Sequence, residues 1–349
     1  MNLNPKFPLY LPGVKNTNND NVSIIGANLR EDVTSIAYYT SGNSGIELKF
    51  KNNYPTKEYA SFTDVLSKFM QDSQLENVQR LGISVPGPVL DGKSHPARLN
   101  WSLDVEEYQN KFGFEKVDML NDQEAAAYGI ALLDDSELDA IYTNGQREKG
   151  NVAILAPGNG LGEAGYFFDG KYLRPFATEG GHSEFSPRTN VEVEFYQFLN
   201  NIYGIVSWEN VLSKTGLFNI YRFLRDVKRH PEPEWLSERL AHGNFTEEIY
   251  KASMNEDALI CRIALDTFIE FLAREANNLT LKLKATGGLL IAGDIPQIIR
   301  EYIDKDKFYE KFKISDKMED MLKNIPIHLV NTDSTSINGA ALYTAYFTE

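Results

Sequence analysis

The sequence is short of cysteine, of positive charge and of long apolar runs, and each shortage excludes a class of protein. Its single cysteine, Cys261, cannot form an intrachain disulfide, so a reducing cytoplasm is the expected compartment. The formal net charge of −14 argues against a nucleic-acid partner, because that binding needs a basic surface. No apolar run approaches the ~18 residues of a membrane span, and residues 1–21 lack the apolar core of a signal peptide. We therefore expect a cytoplasmic protein without a membrane or nucleic-acid partner.

Histidine is also scarce, and its placement does not predict a metal centre. His95, His230 and His242 lack the spacing of metal ligands, so we predict no protein metal site. An acidic chain can still bind a nucleotide, because backbone dipoles and a metal ion hold phosphate locally. The length of 349 residues allows two domains with separate cores.

The most informative stretch starts with the apolar run 152–155 and continues as Ala156-Pro157-Gly158-Asn159-Gly160-Leu161-Gly162. This pattern is typical of a buried strand that ends in a glycine-rich turn, where backbone N–H groups can close around an anion. A hairpin turn without any ligand is the alternative interpretation.

Two further segments carry polar side chains suited to a sugar. Glu179-Gly180-Gly181-His182 places a carboxylate and an imidazole on either side of two glycines, so both can face one small polar ligand. Asn121-Asp122 lies between the strand-like segment 116–120 and a helical segment, where the scaffold fixes a carboxylate in the way a general base requires. Together with the glycine turn, these segments suggest phosphoryl transfer to a sugar hydroxyl.

Each of these residues also has a simpler structural interpretation. Asp122 could cap the helix that follows it, which is the commonest role of an aspartate at that position. Asn121 could be a turn residue, and His182 a structural histidine. Glu209 could be a solvated carboxylate at the end of a helix.

A coarse reading along the chain finds alternating strands and helices, which predicts an α/β protein. The predicted strands are residues 22–25, 35–39, 46–50, 81–85, 151–155, 165–168, 289–292 and 327–330. Helices are predicted at residues 59–71 and 337–347 and over most of the chain after residue 191. Because a strand pair followed by helices occurs twice, the sequence suggests two similar lobes.

Six segments in this order resemble the bacterial glucokinase family of the hexokinase/actin-like ATPase superfamily. They are Val85-Pro86-Gly87-Pro88-Val89, Asn100-Trp101, Leu120-Asn121-Asp122-Gln123-Glu124-Ala125-Ala126-Ala127-Tyr128-Gly129, Glu179-Gly180-Gly181-His182, Glu209-Asn210-Val211-Leu212-Ser213 and Gly287-Gly288-Leu289-Leu290-Ile291-Ala292-Gly293. The resemblance implies an α/β, two-lobed actin-like ATPase (ribonuclease H-like) fold with a cleft between the lobes. It also implies a small lobe of residues 1–119, completed by a C-terminal helix at 335–349, and a large lobe of residues 120–334.

The resemblance further implies transfer of a phosphoryl group from Mg-ATP to the 6-hydroxyl of glucose or a similar hexose. Asp122 would be the catalytic base, and the implied sugar-binding residues are Asn121, Asp122, Glu179, His182 and Glu209. The implied nucleotide-binding residues are Gly158, Asn159, Gly160, Gly162, Gly287, Gly288 and Gly293. Mg²⁺ would arrive with ATP, without a protein metal ligand. Related enzymes are commonly homodimers, and the apolar residues of 264–283 offer a face for pairing.

The nucleotide side of the sequence departs from the family pattern. The family's first hairpin carries Asp-x-Gly-Gly-Thr, and alignment through the following strand puts Ala27, Leu29, Arg30 and Glu31 at those positions. Asn159 replaces a threonine of the second turn, and Asp294 stands where a glycine is usual. Since the loss of one electrostatic stabiliser costs about 10²–10³ in rate, an alternative function follows. In that alternative the chain is a degenerate glucokinase-like protein that binds sugar, has little or no kinase activity, and serves as a regulator or sensor.

Overall fold

The structure, a computed structural model, describes residues 1–97, 99–143, 148–254 and 258–347. The chain divides into two compact units. Unit 1 comprises Met1–Glu137, Tyr166–Ala177 and Thr332–Glu349, and unit 2 comprises Leu138–Gly165 and Thr178–Asn331. Both units combine strands with helices, so the predicted α/β class is confirmed.

Unit 1 is built on a mixed sheet. Its strands are β1 (Asn2–Leu3), β2 (Ser23–Asn28), β3 (Val33–Gly42), β4 (Gly45–Pro55), β5 (Arg80–Val85), β6 (Lys93–Ser94), β7 (Leu103–Asp104) and β8 (Lys116–Asn121). Six of them form one sheet in the order β1-β4-β3-β2-β5-β8, and β6 pairs with β7 in a separate ribbon. The strand β2 pairs antiparallel with β3 and parallel with β5, which in turn pairs parallel with β8.

The helices of unit 1 cover both faces of this sheet. They are α1 (Phe62–Asp72), α2 (Val105–Phe112), α3 (Asp122–Ile130) and a C-terminal helix, Thr335–Tyr346. In α1, Phe62, Val65, Leu66 and Phe69 recur at the spacing of one helical face and are buried. The C-terminal helix approaches β2 so closely that a Cβ at Gly26 would lie 2.9 Å from the Ile337 carbonyl oxygen, which explains a glycine there.

Unit 2 contains most of a second mixed sheet. Its strands are β9 (Leu138–Tyr142), β10 (Val152–Pro157), β11 (Leu161–Phe168), β12 (Leu173–Thr178), β13 (Gly288–Ile291) and β14 (Ile327–Val330). They are ordered β12-β11-β10-β13-β14-β9. The three strands β10, β13 and β14 are parallel, and β9 runs antiparallel to β14.

Unit 2 also contains all the remaining α-helices except the C-terminal one. They are α4 (Asn190–Tyr203), α5 (Lys214–Arg222), α6 (Glu234–His242), α7 (Phe245–Ser253), α8 (Leu259–Leu283), α9 (Asp294–Ile298), α10 (Lys305–Phe312) and α11 (Glu319–Leu322), and the C-terminal helix is α12. Apolar residues of α8 such as Leu265, Phe268 and Leu272 are buried in the core of unit 2. The apolar face of residues 264–283 is therefore core and is not available for pairing with a second copy. No helix in the described parts of the chain is long and apolar enough to cross a membrane.

Candidate active site

The glycine-rich turn connects β10 to β11 at residues 158–160, as the sequence predicts. The Gly158 N–H donates to the Gly160 carbonyl oxygen at 2.8 Å, which closes the turn. Asn159 lies between these two glycines, and Gly162 is already the second residue of β11. The turn follows the carboxyl end of β10, whose parallel neighbour is β13. Ligands of α/β proteins characteristically bind at that end of parallel strands.

Glu209, which also belongs to unit 2, forms a hydrogen bond at the end of this turn. It lies in a short 3-10 turn, Trp208–Asn210, and its Oε2 accepts a hydrogen bond from the Leu161 N–H at 3.0 Å. A Cβ at Gly160 would overlap the same carboxylate oxygen, so the Glu209 carboxylate lies directly against this glycine. The half-buried Glu209 carboxylate is thus fixed against the glycine turn. It is not a solvated carboxylate at the end of a helix.

The second polar segment forms a 3-10 turn, Gly180–His182, preceded by Glu179. The Gly180 N–H donates to Thr178 Oγ1, and Thr178 Oγ1 donates to the Glu163 carbonyl oxygen, each at 3.1 Å. A Cβ at Gly181 would collide with the Leu161 carbonyl oxygen, so this turn lies directly on the start of β11. The side chains of Glu179 and His182 are exposed.

Backbone pairing joins this segment to the one that carries Glu209. The Trp208 N–H donates to the Ser183 carbonyl oxygen at 2.9 Å, and the Phe185 N–H donates to the Val206 carbonyl oxygen at 2.9 Å. Unit 2 therefore brings together three features that are far apart in sequence. They are the 158–160 turn, the Glu179–His182 segment and Glu209.

In unit 1, Asn121 ends β8 and Asp122 begins α3. Asn121 is the N-cap, since its Oδ1 accepts a hydrogen bond from the Gln123 N–H at 2.8 Å. Its Nδ2 also donates to the Gly87 carbonyl oxygen at 3.1 Å. The capping side chain is thus that of Asn121, and Asp122 occupies the first helical position, where Ser336 Oγ donates to its carbonyl oxygen.

Three glycines of the predicted nucleotide motif divide between the two ends of β13. Gly293 follows β13 with φ +90°, and a Cβ there would collide with the Pro157 carbonyl oxygen next to the glycine turn. Gly287 and Gly288 lie at the opposite end, where Gly288 pairs with Val152 and the Gly287 N–H donates to the Asn151 carbonyl oxygen. Gly287 and Gly288 therefore lie at the end of β13 that is away from the glycine turn. A Cβ at Gly287 would lie 2.5 Å from the Gly150 carbonyl oxygen, which explains this glycine by close backbone contact.

In the β2–β3 hairpin, alternate side chains of β2 face opposite sides of the sheet. Ala27 and Leu29 are fully buried in the apolar cluster of unit 1, on the same face of the strand as Ile25. Asn28 lies on the other face, where its Oδ1 accepts a hydrogen bond from Ser84 Oγ at 3.2 Å. An aspartate at residue 27 would therefore point into the core.

Two titratable side chains beside the turns were not among the predicted site residues. Lys214, the first residue of α5, forms an ion pair with Asp294. Glu163, in β11, lies against Gly180, and burial together with the neighbouring Glu275 raises its pKa to about 7. The sequence signal for Glu163 was its place directly after the last glycine of the glycine-rich run, and the signal for Lys214 was its place directly after the capping Ser213.

A family model described as Glucokinase matches residues 32–346 of the chain. A glucokinase of Neisseria gonorrhoeae is 31% identical over 289 residues, which cover 82% of this chain and 85% of that protein. A glucokinase of a Nostoc species is 28% identical over 320 residues, covering 87% of this chain and 93% of that protein.

Solved structures agree in fold. A glucokinase from an Antarctic psychrotroph has a TM-score of 0.78 at 23% identity, with 92% of this chain and 98% of that chain covered. A glucokinase from Balamuthia mandrillaris in complex with glucose has a TM-score of 0.74 at 20% identity, with 93% of each chain covered. These likenesses confirm the predicted actin-like ATPase fold.

Proposed function

The chain belongs to the glucokinase family, and on this premise we propose that it transfers the γ-phosphoryl group of Mg-ATP to the 6-hydroxyl of glucose or a similar hexose. The family match over residues 32–346 confirms the predicted class, a hexose kinase. The match to relatives of the same name along most of the chain does not favour the alternative of a sugar-binding protein without kinase activity. The observation that carries the proposal is that unit 2 brings the Glu179–His182 segment and Glu209 together beside the glycine turn.

We assign the sugar hydroxyls to the polar side chains that the family motifs contribute. Glu179 and His182 are exposed at one turn, and Glu209 is held by the Leu161 N–H. Carboxylates accept hydrogen bonds from hydroxyls, so Glu179 and Glu209 suit a polyol. Asn121 keeps one amide hydrogen beyond its bond to Gly87, and that hydrogen can meet a sugar oxygen.

Asp122 is assigned the role of general base. It would take the proton of the 6-hydroxyl as that oxygen attacks the γ-phosphorus, while ADP leaves with the β–γ bridging oxygen. Because Asn121 already caps α3, the Asp122 carboxylate is not needed for that purpose. Its position at the junction of β8 and α3 fixes it on rigid elements, as precise proton transfer requires.

Gly158, Asn159, Gly160, Gly162 and Gly293 are assigned to the donor. Glycine at residues 158 and 160 allows a phosphate to approach the backbone of the turn. Mg²⁺ is part of the substrate Mg-ATP, where it bridges phosphate oxygens and neutralises their charge. Within the described residues no group of three or more His, Cys, Asp or Glu side chains is placed to hold a metal ion.

The finer assignments rest on the family. We propose a cytoplasmic homodimer acting in carbohydrate metabolism. A molar mass from light scattering that corresponds to one chain would contradict the dimer.

The test of this function is Asp122→Asn in a coupled assay of glucose phosphorylation. The wild type is expected to turn over glucose at rates of order 10 s⁻¹. Asp122→Asn is expected to lower kcat by about 10²–10⁴-fold with glucose affinity within a few-fold, because a base acts mainly in the transition state. Asp135→Asn, an exposed carboxylate of the same unit, is the matched control. A wild type that phosphorylates no hexose would refute the function, and an Asp122→Asn variant at the parental rate would refute the base.

A further inference from the structure

Two side chains of opposite charge face each other beside the glycine turn. Lys214 begins α5 and Asp294 begins α9, and Lys214 Nζ lies 3.6 Å from Asp294 Oδ2. Their side chains remain 31% and 25% exposed. Partly exposed pairs at this distance contribute little to folding stability. Stability therefore gives no reason for placing a lysine and an aspartate here.

The backbone attaches both residues to the turn itself. The Lys214 N–H donates to the Gly158 carbonyl oxygen at 2.9 Å. A Cβ at Gly158 would lie 3.9 Å from the Asp294 amide nitrogen and 4.0 Å from Asp294 Oδ2, so Asp294 lies next to Gly158. The cation and the anion thus flank one glycine of the turn that the proposed function assigns to donor phosphates.

Local capping fixes where the lysine starts. Ser213 Oγ accepts a hydrogen bond from the Gly216 N–H at 3.0 Å and donates to the Glu209 carbonyl oxygen at 2.7 Å. The start of α5 is therefore bonded to Glu209 through the Ser213 side chain and to Gly158 through the Lys214 backbone. Its flexible four-carbon stem leaves the ammonium group free to change partner over a few ångströms.

We propose that Lys214 binds the phosphates of the donor and that Asp294 positions it when no donor is present. This inference rests on the proposed function, because it concerns the donor side of the same site. In the free protein Asp294 holds the ammonium group beside Gly158. When a nucleotide di- or triphosphate enters, Lys214 Nζ donates to its oxygens and keeps the Asp294 carboxylate from repelling them. The carboxylate at residue 294 is thus compensated by a cation of the same site.

A double-mutant cycle on the full chain tests the pair. The variants are Lys214→Met, Asp294→Asn and the combination of both, with Lys214→Arg as the conservative variant. The Kd values of Mg-ATP and Mg-ADP are measured by titration calorimetry, and the KM values for Mg-ATP and glucose by the coupled assay. Lys311→Met, which removes an exposed lysine paired with Glu270 on the same unit, is the matched control.

Lys214→Met is expected to raise the Kd of Mg-ATP about tenfold, because it removes a cation and exposes the phosphates to Asp294. Adding Asp294→Asn to Lys214→Met should recover part of that loss, while Asp294→Asn alone should leave the Kd equal or lower. Lys214→Arg should keep most of the affinity. The KM for glucose should stay within twofold in every variant.

Several results would overturn the inference. They are an unchanged Mg-ATP affinity in Lys214→Met, equal losses for glucose and Mg-ATP, or no recovery in the double variant. The salt dependence of binding provides a further measurement, which a folding defect would not change in the same way. The Kd of Mg-ATP should rise with NaCl concentration more steeply in the wild type than in Lys214→Met. Nucleotide binding is measured without turnover, so a wild type that binds Mg-ATP through Lys214 but phosphorylates no sugar would refute only the proposed function.

Discussion

Glu163 is a carboxyl group buried in β11 against Gly180, at the base of the Glu179–His182 turn. Burial is the main reason that its pKa rises from the ordinary value of 4.5 to about 7, and the neighbouring Glu275 carboxylate adds to the rise. Glu275 is itself fully buried, with a raised pKa, and is held by Asn278 Nδ2 at 2.7 Å and Lys282 Nζ at 3.2 Å. The structure thus favours a proton on Glu163 near neutral pH.

Because of this proton, the free energy of unfolding should decrease as the pH rises. A carboxyl whose pKa is raised on folding binds its proton more tightly in the folded protein than in the unfolded chain. Its protonation therefore favours the folded state fully below about pH 4.5, and this contribution is lost as the pH rises through about 7.

Glu163→Gln keeps the shape of the protonated acid and removes the charge. We expect the variant to exceed the wild type in free energy of unfolding by on the order of 2 kcal/mol at pH 8, with the difference vanishing toward pH 4.5. Urea unfolding at several pH values measures the difference. Glu270→Gln, at an exposed position of α8, is the control variant and should show no such trend. A pH-independent difference for Glu163→Gln would show that Glu163 does not titrate in this range.

At the residue scale the sequence was most informative where chemistry and local structure coincide. The motifs placed Glu179, His182 and Glu209 in segments that unit 2 does bring together. They could not reveal that Asn121 would cap α3, nor that Lys214 would reach Asp294, because both depend on side-chain direction. Gly287 and Gly288 are a further example. In a sequence, a glycine that allows close backbone contact cannot be distinguished from a glycine that allows a ligand to approach.

At the scale of elements, strands with strong apolar periodicity were predictable. The structure confirms β2, β3, β5, β10, β13 and β14 near the expected positions, and α1 and α12 as well. The strand β12 was missed because Pro175 interrupts it and all its residues are half-buried, which hides the alternation that marks a strand. The strand β11 begins at Leu161, four residues before the predicted start, because the glycines that mark a turn continue into the strand.

The β2–β3 hairpin yields a prediction about which face of β2 accepts a charge. Ala27→Asp would bury an unpaired carboxylate beside Ile25 and Leu29, and we expect it to lower the free energy of unfolding by at least about 3 kcal/mol. Asn28→Asp is nearly isosteric, and Ser84 Oγ can still donate to it, so a loss of about 1–2 kcal/mol is expected. Urea unfolding of the two variants compares them, with the slope checked for constancy. Equal stability of both would mean that the side chain at residue 27 does not face the core.

At the scale of the whole molecule, the two sheets repeat one strand order. The order β4-β3-β2-β5-β8 of the first sheet matches β12-β11-β10-β13-β14 of the second, with a hairpin followed by parallel strands in each. The repeated pattern in the sequence suggested two similar lobes, and the resemblance supplied their architecture. Periodicity alone does not specify strand order, because it reports which residues are buried and not which strand they meet.

Ligand-linked stability provides the last prediction. A ligand that binds only the folded protein stabilises it by about 2.7 kcal/mol at one hundred times its Kd. At equal millimolar concentration we expect glucose to raise the melting temperature more than Mg-ATP does. The five proposed sugar residues are all present, whereas Asn159 and Asp294 alter the donor side and Lys214 compensates for only one of these changes.

Two variants make this experiment specific for the site. Glu209→Gln keeps an acceptor for the Leu161 N–H but loses the charge that attracts a hydroxyl proton, so the glucose-induced shift should shrink. Asp122→Asn should keep that shift, because its base acts mainly after binding. Mannose, glucosamine and polyphosphate in the same assay identify the preferred hexose and donor. A larger shift with Mg-ATP than with every hexose would show that the donor side is the better preserved half of the site, and an unchanged glucose shift in Glu209→Gln would remove Glu209 from the sugar-binding set.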